Sequence, residues 1–207
     1  VLRVDIDADG TMYRFVDEVA RLLNESHGTN IDAKDCTHWD WYRDYGISRS
    51  AFYKACDAVH VDGHVGRLKP YDGLTIPVLH AMDRHRDIWP HVLTGKDSRN
   101  HDLIHEWLIV NDGPELPIRQ PPAGQTHING IHGKLEYPWH VLIDDHPGLV
   151  REFLDAGGDR DMGVLVSIKA PWNAEAQSEV PKNHPNIRCV GDWMGVWVVV
   201  YTILNQP

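Results

Sequence analysis

The chain is poor in cysteine, in basic residues and in long apolar runs. Cys36, Cys56 and Cys189 are its three cysteines, widely separated and without a Cys-x-x-Cys spacing. That argues against a disulfide framework and for a reducing compartment, the cytoplasm, with each thiol serving as a small buried hydrophobe. Lys and Arg number 20 against 30 Asp and Glu, a formal net charge of -10, and no basic cluster offsets it. A nucleic-acid partner is therefore disfavoured, because phosphate-backbone binding needs grouped Lys and Arg. No apolar stretch is long enough to cross a bilayer, so no membrane partner is expected. The most apolar stretch, Val196–Leu204, is too short for that and stands at the wrong end for a signal peptide. The first residue is Val, which leaves a trimmed leader open. Internal repeats and low-complexity tracts are also missing.

What is present suits a globular enzyme. Hydrophobic residues make up 42% of 207, enough for one sizeable core and a small insertion. Strand-like stretches are expected at Val1–Ile6, Ile88–Leu93, 127–131, Val141–Ile143, Val164–Ile168 and Ile187–Val190. Helical stripes are expected at Phe15–Leu23, Ser48–Ala58, Leu74–His85, Asn100–Val110 and Pro147–Ala156, the last ended by Gly157-Gly158. Residues 111–125 read as a Pro-rich connection. Asp192 can cap a final helix, although the β-branched run Val196–Val200 reads equally as a strand. Alternating strands and helices imply an α/β fold, a doubly wound and mostly parallel sheet. The stretch 24–71 is too long for a simple crossover. It reads as a small helical cap, leaving 1–23 and 72–207 as the catalytic core.

Four short segments carry chemistry, each beside an apolar stretch: Asp7-Ala8-Asp9-Gly10-Thr11, Thr94, Lys134 and Asp144-Asp145. In an open parallel sheet, ligands bind beyond the carboxyl ends of the strands. Carboxylates there, with one hydroxyl and one ammonium, suit Mg2+ and a phosphate group. Magnesium prefers oxygen ligands and takes few protein carboxylates. Asp7, Asp9, Asp144 and Asp145 are the candidate ligands, and side chains i and i+2 of Asp7-Ala8-Asp9 project the same way from an extended segment.

Asp7-Ala8-Asp9-Gly10-Thr11-Met12 resembles the first motif of the haloacid dehalogenase-like phosphatase superfamily. Leu93-Thr94 is similar to its second motif, Lys134 to its third and Leu142-Ile143-Asp144-Asp145 to its fourth. The order of the four distinguishes the pattern from a receiver domain, where the acidic pair comes first. Within the superfamily the chain looks most like the 5'(3')-deoxyribonucleotidase branch, on three grounds. Lys134 lies just upstream of Asp144-Asp145, the cap is short, and the cap is aromatic. The resemblance implies a phosphomonoester hydrolase. Asp7 would attack phosphorus and form an aspartyl-phosphate. Asp9 would protonate the leaving oxygen and then activate water. Thr94 and Lys134 would hold the phosphoryl group, and Asp7, Asp144, Asp145 and the Asp9 carbonyl would hold magnesium.

Several choices stay open at this level. Asp5-Ile6-Asp7 is a second Asp-x-Asp, so Asp5 rivals Asp7 as nucleophile, or else faces a polar layer. Lys96 and Lys169 rival Lys134. Thr94, Gly95 and Lys96 are expected to touch the phosphate. Trp39, Trp41 and Tyr45 either stack a nucleobase or form the cap's own core with Tyr42. The pairs His101/His105 and His60/His64 read as exposed polar faces, and the role of Pro171-Trp172-Asn173 is open. The expected partner is a small-molecule phosphate ester, foremost a nucleoside monophosphate. Another small phosphate ester, or a non-catalytic metal- and phosphate-binding protein on the same fold, is the alternative. A homodimer is left open.

Overall fold

Short apolar runs bounded by turns build the sheet. In the computed structural model the described residues are 1–61, 64–95, 100–120, 134, 139–155 and 163–206. Strands β1 (Leu2–Ile6), β2 (Ile88–Leu93), β3 (Ile118–Arg119), β4 (Val141–Asp144), β5 (Val164–Ile168) and β6 (Ile187–Val190) pair in parallel throughout. Their order is β3-β2-β1-β4-β5-β6.

Side chains alternate between the two faces with the period of a strand. Val4, Ile6, Val92, Val141, Ile143, Val166 and Ile168 join one core. Leu93, Leu142, Leu165 and Ile187 join the other. Helices α1 (Phe15–His27), α3 (Thr75–Asp83), α4 (His101–Val110) and α7 (Trp193–Leu204) cover the first face through Leu23, Leu79, Trp107 and Val200. Helices α5 (Pro147–Asp155) and α6 (Ala174–Glu179) cover the second through Phe153 and Ala176. A parallel sheet covered on both faces is doubly wound. With this strand order the winding reverses between β1 and β4, which opens a crevice beyond their carboxyl ends.

Between α1 and α3 the chain forms α2 (Arg49–Val59) and short 3-10 turns at Ala33–Asp35, Trp41–Tyr45 and Val65–Arg67. Ser48 caps α2, its Oγ accepting from the Ala51 amide at 3.2 Å. Trp41, Tyr42 and Cys56 are buried in the first-face core, and Tyr42 stacks on Phe52 at 4.4 Å. Helix α1 passes through Asn24, where core and cap were expected to divide, and ends at Gly28 in the left-handed conformation.

Some expectations are corrected, one open choice is decided, and others lie outside the described residues. Ile118–Arg119, inside the expected Pro-rich connection, is an edge strand made by pairing with Val92 and Leu93. Two residues carry no periodicity, so only the neighbouring strand defines it. The ambiguous C-terminal run is helix α7, with Asp192 accepting from the Gly195 amide at 2.8 Å. Trp193, Val196 and Val200 fall on one helical face and are buried, and that packing overrides β-branched propensity. Cys189 is exposed, whereas Cys36 and Cys56 are buried as expected. The expected strand at 127–131 and Gly157-Gly158 lie outside the described residues.

Asp5 is explained by a polar layer in the sheet. It is fully buried, its carboxylate 2.9 Å from Arg3 Nε and 3.7 Å from the fully buried His91, its neighbour in register. Burial pushes Asp5 up, with Arg3 opposing. Burial, then the charges of Arg119 and Arg3, lowers His91 to about 4. Unfolded His91 takes up a proton as pH falls through about 6.5, and the folded chain does not until about 4. The His91 contribution is therefore whole above pH 6.5 and lost progressively towards 4. The raised Asp5 acts in the opposite sense over part of that range. In urea unfolding, His91→Gln is expected to lose less stability than the wild type between pH 7 and pH 4.5, by about 1–3 kcal/mol.

Candidate active site

The loop after β1 is built to face β4. The Asp7 amide donates to the Ile143 carbonyl at 2.9 Å, and the Met12 amide closes a turn onto the Ala8 carbonyl at 3.0 Å. Gly10 sits at φ +80°, and a Cβ there would stand 2.9 Å from Asp145 Cγ, so both conformation and space require glycine. Thr11 is fully buried and donates from Oγ1 to Asp145 Oδ1 at 3.1 Å. Trp193 Nε1 donates to the Thr11 carbonyl at 3.1 Å, tying the loop to α7.

Asp7, Asp144 and Asp145 meet in this crevice, with ligand oxygens that all lie within 4.8 Å of one another. Lys134 Nζ donates to Asp7 Oδ1 at 2.5 Å and to Asp144 Oδ2 at 2.7 Å. Its own carbonyl accepts from Trp139 Nε1 at 2.9 Å, which anchors the lysine. Among the described residues Lys134 is thus the lysine at the acids. Lys169 is exposed, and Lys96 lies outside the described residues. Asp144 Oδ1 accepts from the His146 amide at 2.8 Å. Asp145 Oδ2 accepts from Trp172 Nε1 at 2.7 Å, and Asn173 Nδ2 donates to the Asp145 carbonyl at 2.8 Å. Orienting Asp145 is the role that sequence left open for Pro171-Trp172-Asn173.

Three buried carboxylates face one ammonium, and the titration behaviour reflects the imbalance. Burial, then the charges of Asp144 and Asp9, raises Asp7 to about 7 against the pull of Lys134. Burial followed by Asp144 and Asp7 pushes Asp145 well above the usual carboxylate range. For Lys134, burial acts downward, but Asp144 and Asp7 outweigh it and hold the ammonium above its ordinary value. An all-oxygen donor set with surplus buried negative charge fits a divalent cation. Among the described residues no other group of this kind occurs, so neither histidine pair belongs to one.

The carboxylate of Asp9 stands outside this group. It accepts from Tyr13 Oη at 2.7 Å and lies 3.0 Å from His60 Nε2. His60 was expected on an exposed polar face. It is instead buried at the end of α2, while His64 pairs with Glu18 at 3.0 Å. A single histidine in a mixed sequence gives no periodic signal, so only the tertiary contact reveals it. Asp5, the rival nucleophile, points into the polar layer and does not line the crevice.

Above the acids lies a cavity of about 360 Å³. Asp7, Asp9, Thr94, Gly95, Lys134, Asp144 and Asp145 are among its polar lining residues, with Thr94 buried. Trp39, Trp41, Phe15, Phe52, Tyr53 and Trp172 are its aromatic lining residues. Tyr45 is not among the lining residues and packs edge-on to Trp41 at 6.5 Å. Trp39 is 38% exposed and rests on the His146 ring, centroids 4.0 Å apart. Burial lowers the His146 imidazole to about 4, so this ring is neutral at pH 7. Phe15, Phe52 and Tyr53 escape a sequence reading because aromatic residues on amphipathic helices look the same in a core and in a cavity wall.

No family model matches the chain, and no curated protein sequence matches it. Solved structures do. A conserved haloacid dehalogenase-like protein of unknown function from Agrobacterium tumefaciens shares 14% identity, with a TM-score of 0.59 over 97% of this chain and 98% of its own. A haloacid dehalogenase family hydrolase from Deinococcus radiodurans, solved with bound phosphate and sodium, also has 14% identity and a TM-score of 0.59, covering 99% and 97%. A phosphonoacetaldehyde hydrolase-like protein from Oleispira antarctica reaches 0.52 at 12% identity, covering 99% and 92%. The chain therefore has the haloacid dehalogenase-like fold. At these identities the likeness is one of fold and does not reach a particular branch or substrate.

The charge imbalance sets an expectation for metal. In a thermal melt at pH 7.5, added Mg2+ is expected to raise Tm, by the equivalent of about 2–3 kcal/mol when the ion is near 100 times its Kd. Asp144→Asn and Asp145→Asn should each abolish most of that rise. An equal rise in both variants would remove the acids from ion binding.

Proposed function

We propose that this chain is a magnesium-dependent phosphomonoester hydrolase that works through an aspartyl-phosphate on Asp7. The observation that carries the reading is the Lys134 ammonium held between Asp7 and Asp144 at the switch of the sheet, beneath a cavity that also exposes Asp9 and Thr94. Asp7, Asp144 and Asp145 would hold the magnesium ion. When bound, such an ion neutralises phosphoryl charge and fixes the ester for attack. Asp7 is the nucleophile, and its carboxylate is kept at hand by Lys134. Lys134 and Thr94 take the charge that gathers on the phosphoryl oxygens. Asp9 gives its proton to the leaving oxygen and later takes one from the water that opens the acyl phosphate.

The cavity wall supports the substrate class. Beyond the acids it is aromatic and offers no described cation besides Lys134. A leaving group with a second phosphate or carboxylate would meet no further cation among the described lining residues. A nucleoside monophosphate, whose base can lie against Trp39 and Trp41, suits it, as in the deoxyribonucleotidase-like branch. Residues 24–71 act in this reading as a cap, since Trp39, Trp41 and Phe52 all come from them. The free cysteines support a cytoplasmic setting. Among the described residues no helix is long and apolar enough to cross a membrane.

The test is turnover of para-nitrophenyl phosphate and a panel of mononucleotides. Hydrolysis is expected with Mg2+ present and lost with a chelator. Asp7→Asn should lower kcat by at least about 1,000-fold while leaving the fold intact. Nucleotide binding by the folded wild type without product would instead favour a non-catalytic binding protein.

A further inference from the structure

A carboxyl group that passes a proton to a leaving oxygen must be aimed as well as present. Asp9 is gripped from two sides. Tyr13 Oη donates to Oδ1 at 2.7 Å, and Tyr13 is itself fully buried against Trp107, ring centroids 5.1 Å apart. His60 Nε2 lies 3.0 Å from Oδ2. The two grips differ in origin. Tyr13 belongs to the same loop as Asp9, whereas His60 is 51 residues away at the C-terminal end of α2. His60 is 9% exposed, and its ring packs on Phe15 with centroids 5.4 Å apart. Asp9 and Phe15 both line the cavity, so His60 meets the acid at the seam between the inserted segment and the sheet.

The geometry points to His60 as a positioning residue through which the inserted segment aims Asp9. This rests on the phosphatase reading. In the step concerned, Asp7 forms a bond to phosphorus while the bond from phosphorus to the ester oxygen breaks. The electron pair of the broken bond stays on that oxygen, and the Asp9 proton is transferred to it, leaving Asp9 as a carboxylate. Each carboxyl oxygen has two lone-pair sites, so one hydrogen bond accepted from Tyr13 and one accepted from the Nε2–H tautomer of His60 leave room for the proton in flight. With α2 lifted away, the His60 restraint on Asp9 would be lost, and the carboxyl group would regain torsional freedom. Proton delivery then depends on the seating of the segment over a bound ester, which ties closure to chemistry. His60 itself does not touch the ester in this scheme.

Leaving-group dependence separates this role from a merely structural one. The para-nitrophenolate ion departs without a proton, and para-methoxyphenolate needs one. For His60→Ala, kcat/KM with para-methoxyphenyl phosphate is expected to fall by about 10- to 100-fold, while that with para-nitrophenyl phosphate stays within about threefold of wild type. His60→Gln, which keeps a side-chain N–H, should recover part of the loss. If His60→Ala does not fold, His60→Leu retains packing against Phe15 and carries the same comparison. An equal loss on both esters, or no loss on either, overturns the positioning role. Failure of the folded wild type to hydrolyse either ester overturns the phosphatase reading itself, a different result.

Discussion

Everything at the crevice depends on one ammonium between two carboxylates. Lys134 Nζ contacts both Asp7 and Asp144, and all three side chains are buried. Burying ionised groups costs several kcal/mol each, and a pair offsets this only with good geometry and satisfied hydrogen bonds. The surroundings meet that condition. Trp139 fixes the lysine carbonyl, the His146 amide serves Asp144, and Thr11 and Trp172 serve Asp145. One positive charge still leaves the three acids overdrawn in negative charge, which is why Asp7 and Asp145 are driven upward. The same deficit makes the place receptive to a dication and to the phosphoryl group it would accompany.

The fold exists to bring those groups together. Parallel strands end their chains on one edge of the sheet, and reversal of winding between β1 and β4 leaves that edge uncovered. Asp7 and Asp144 stand at the ends of these two neighbours. The segment between α1 and α3 then roofs the opening with aromatic rings, giving one cavity with an anionic floor and an apolar wall. A neutral His146 lies against Trp39 in that wall. In the proposed reading, selection among phosphate esters falls to the roof, and phosphate chemistry to the floor.

Much of this was legible beforehand because it is local. Ile88–Leu93, Val164–Ile168 and Ile187–Val190 are apolar runs between turns, and they are strands with those bounds. Gly10 after Asp9 announces a turn with positive φ. What stayed hidden is non-local. Ile118–Arg119 is a strand only because β2 lies beside it. Asp5 looked like a rival nucleophile until Arg3 and His91 were seen to hold it within the sheet. His60 looked like a surface residue, and Tyr45 looked like a match for Trp39 and Trp41.

The sequence by itself determined the alternation of strands and helices, the acidic loops that follow β1 and β4, and an excess of negative charge. Periodicity and turn chemistry are properties of neighbouring residues, so one chain suffices to read them. Only the tertiary structure decided which acids share a centre, which lysine answers them, and which aromatic rings face the cavity. Those are contacts between residues as far apart as Lys134 and Asp7, or His60 and Asp9. Proximity of that kind arises when the sheet closes and the helices pack, and no spacing along the chain encodes it.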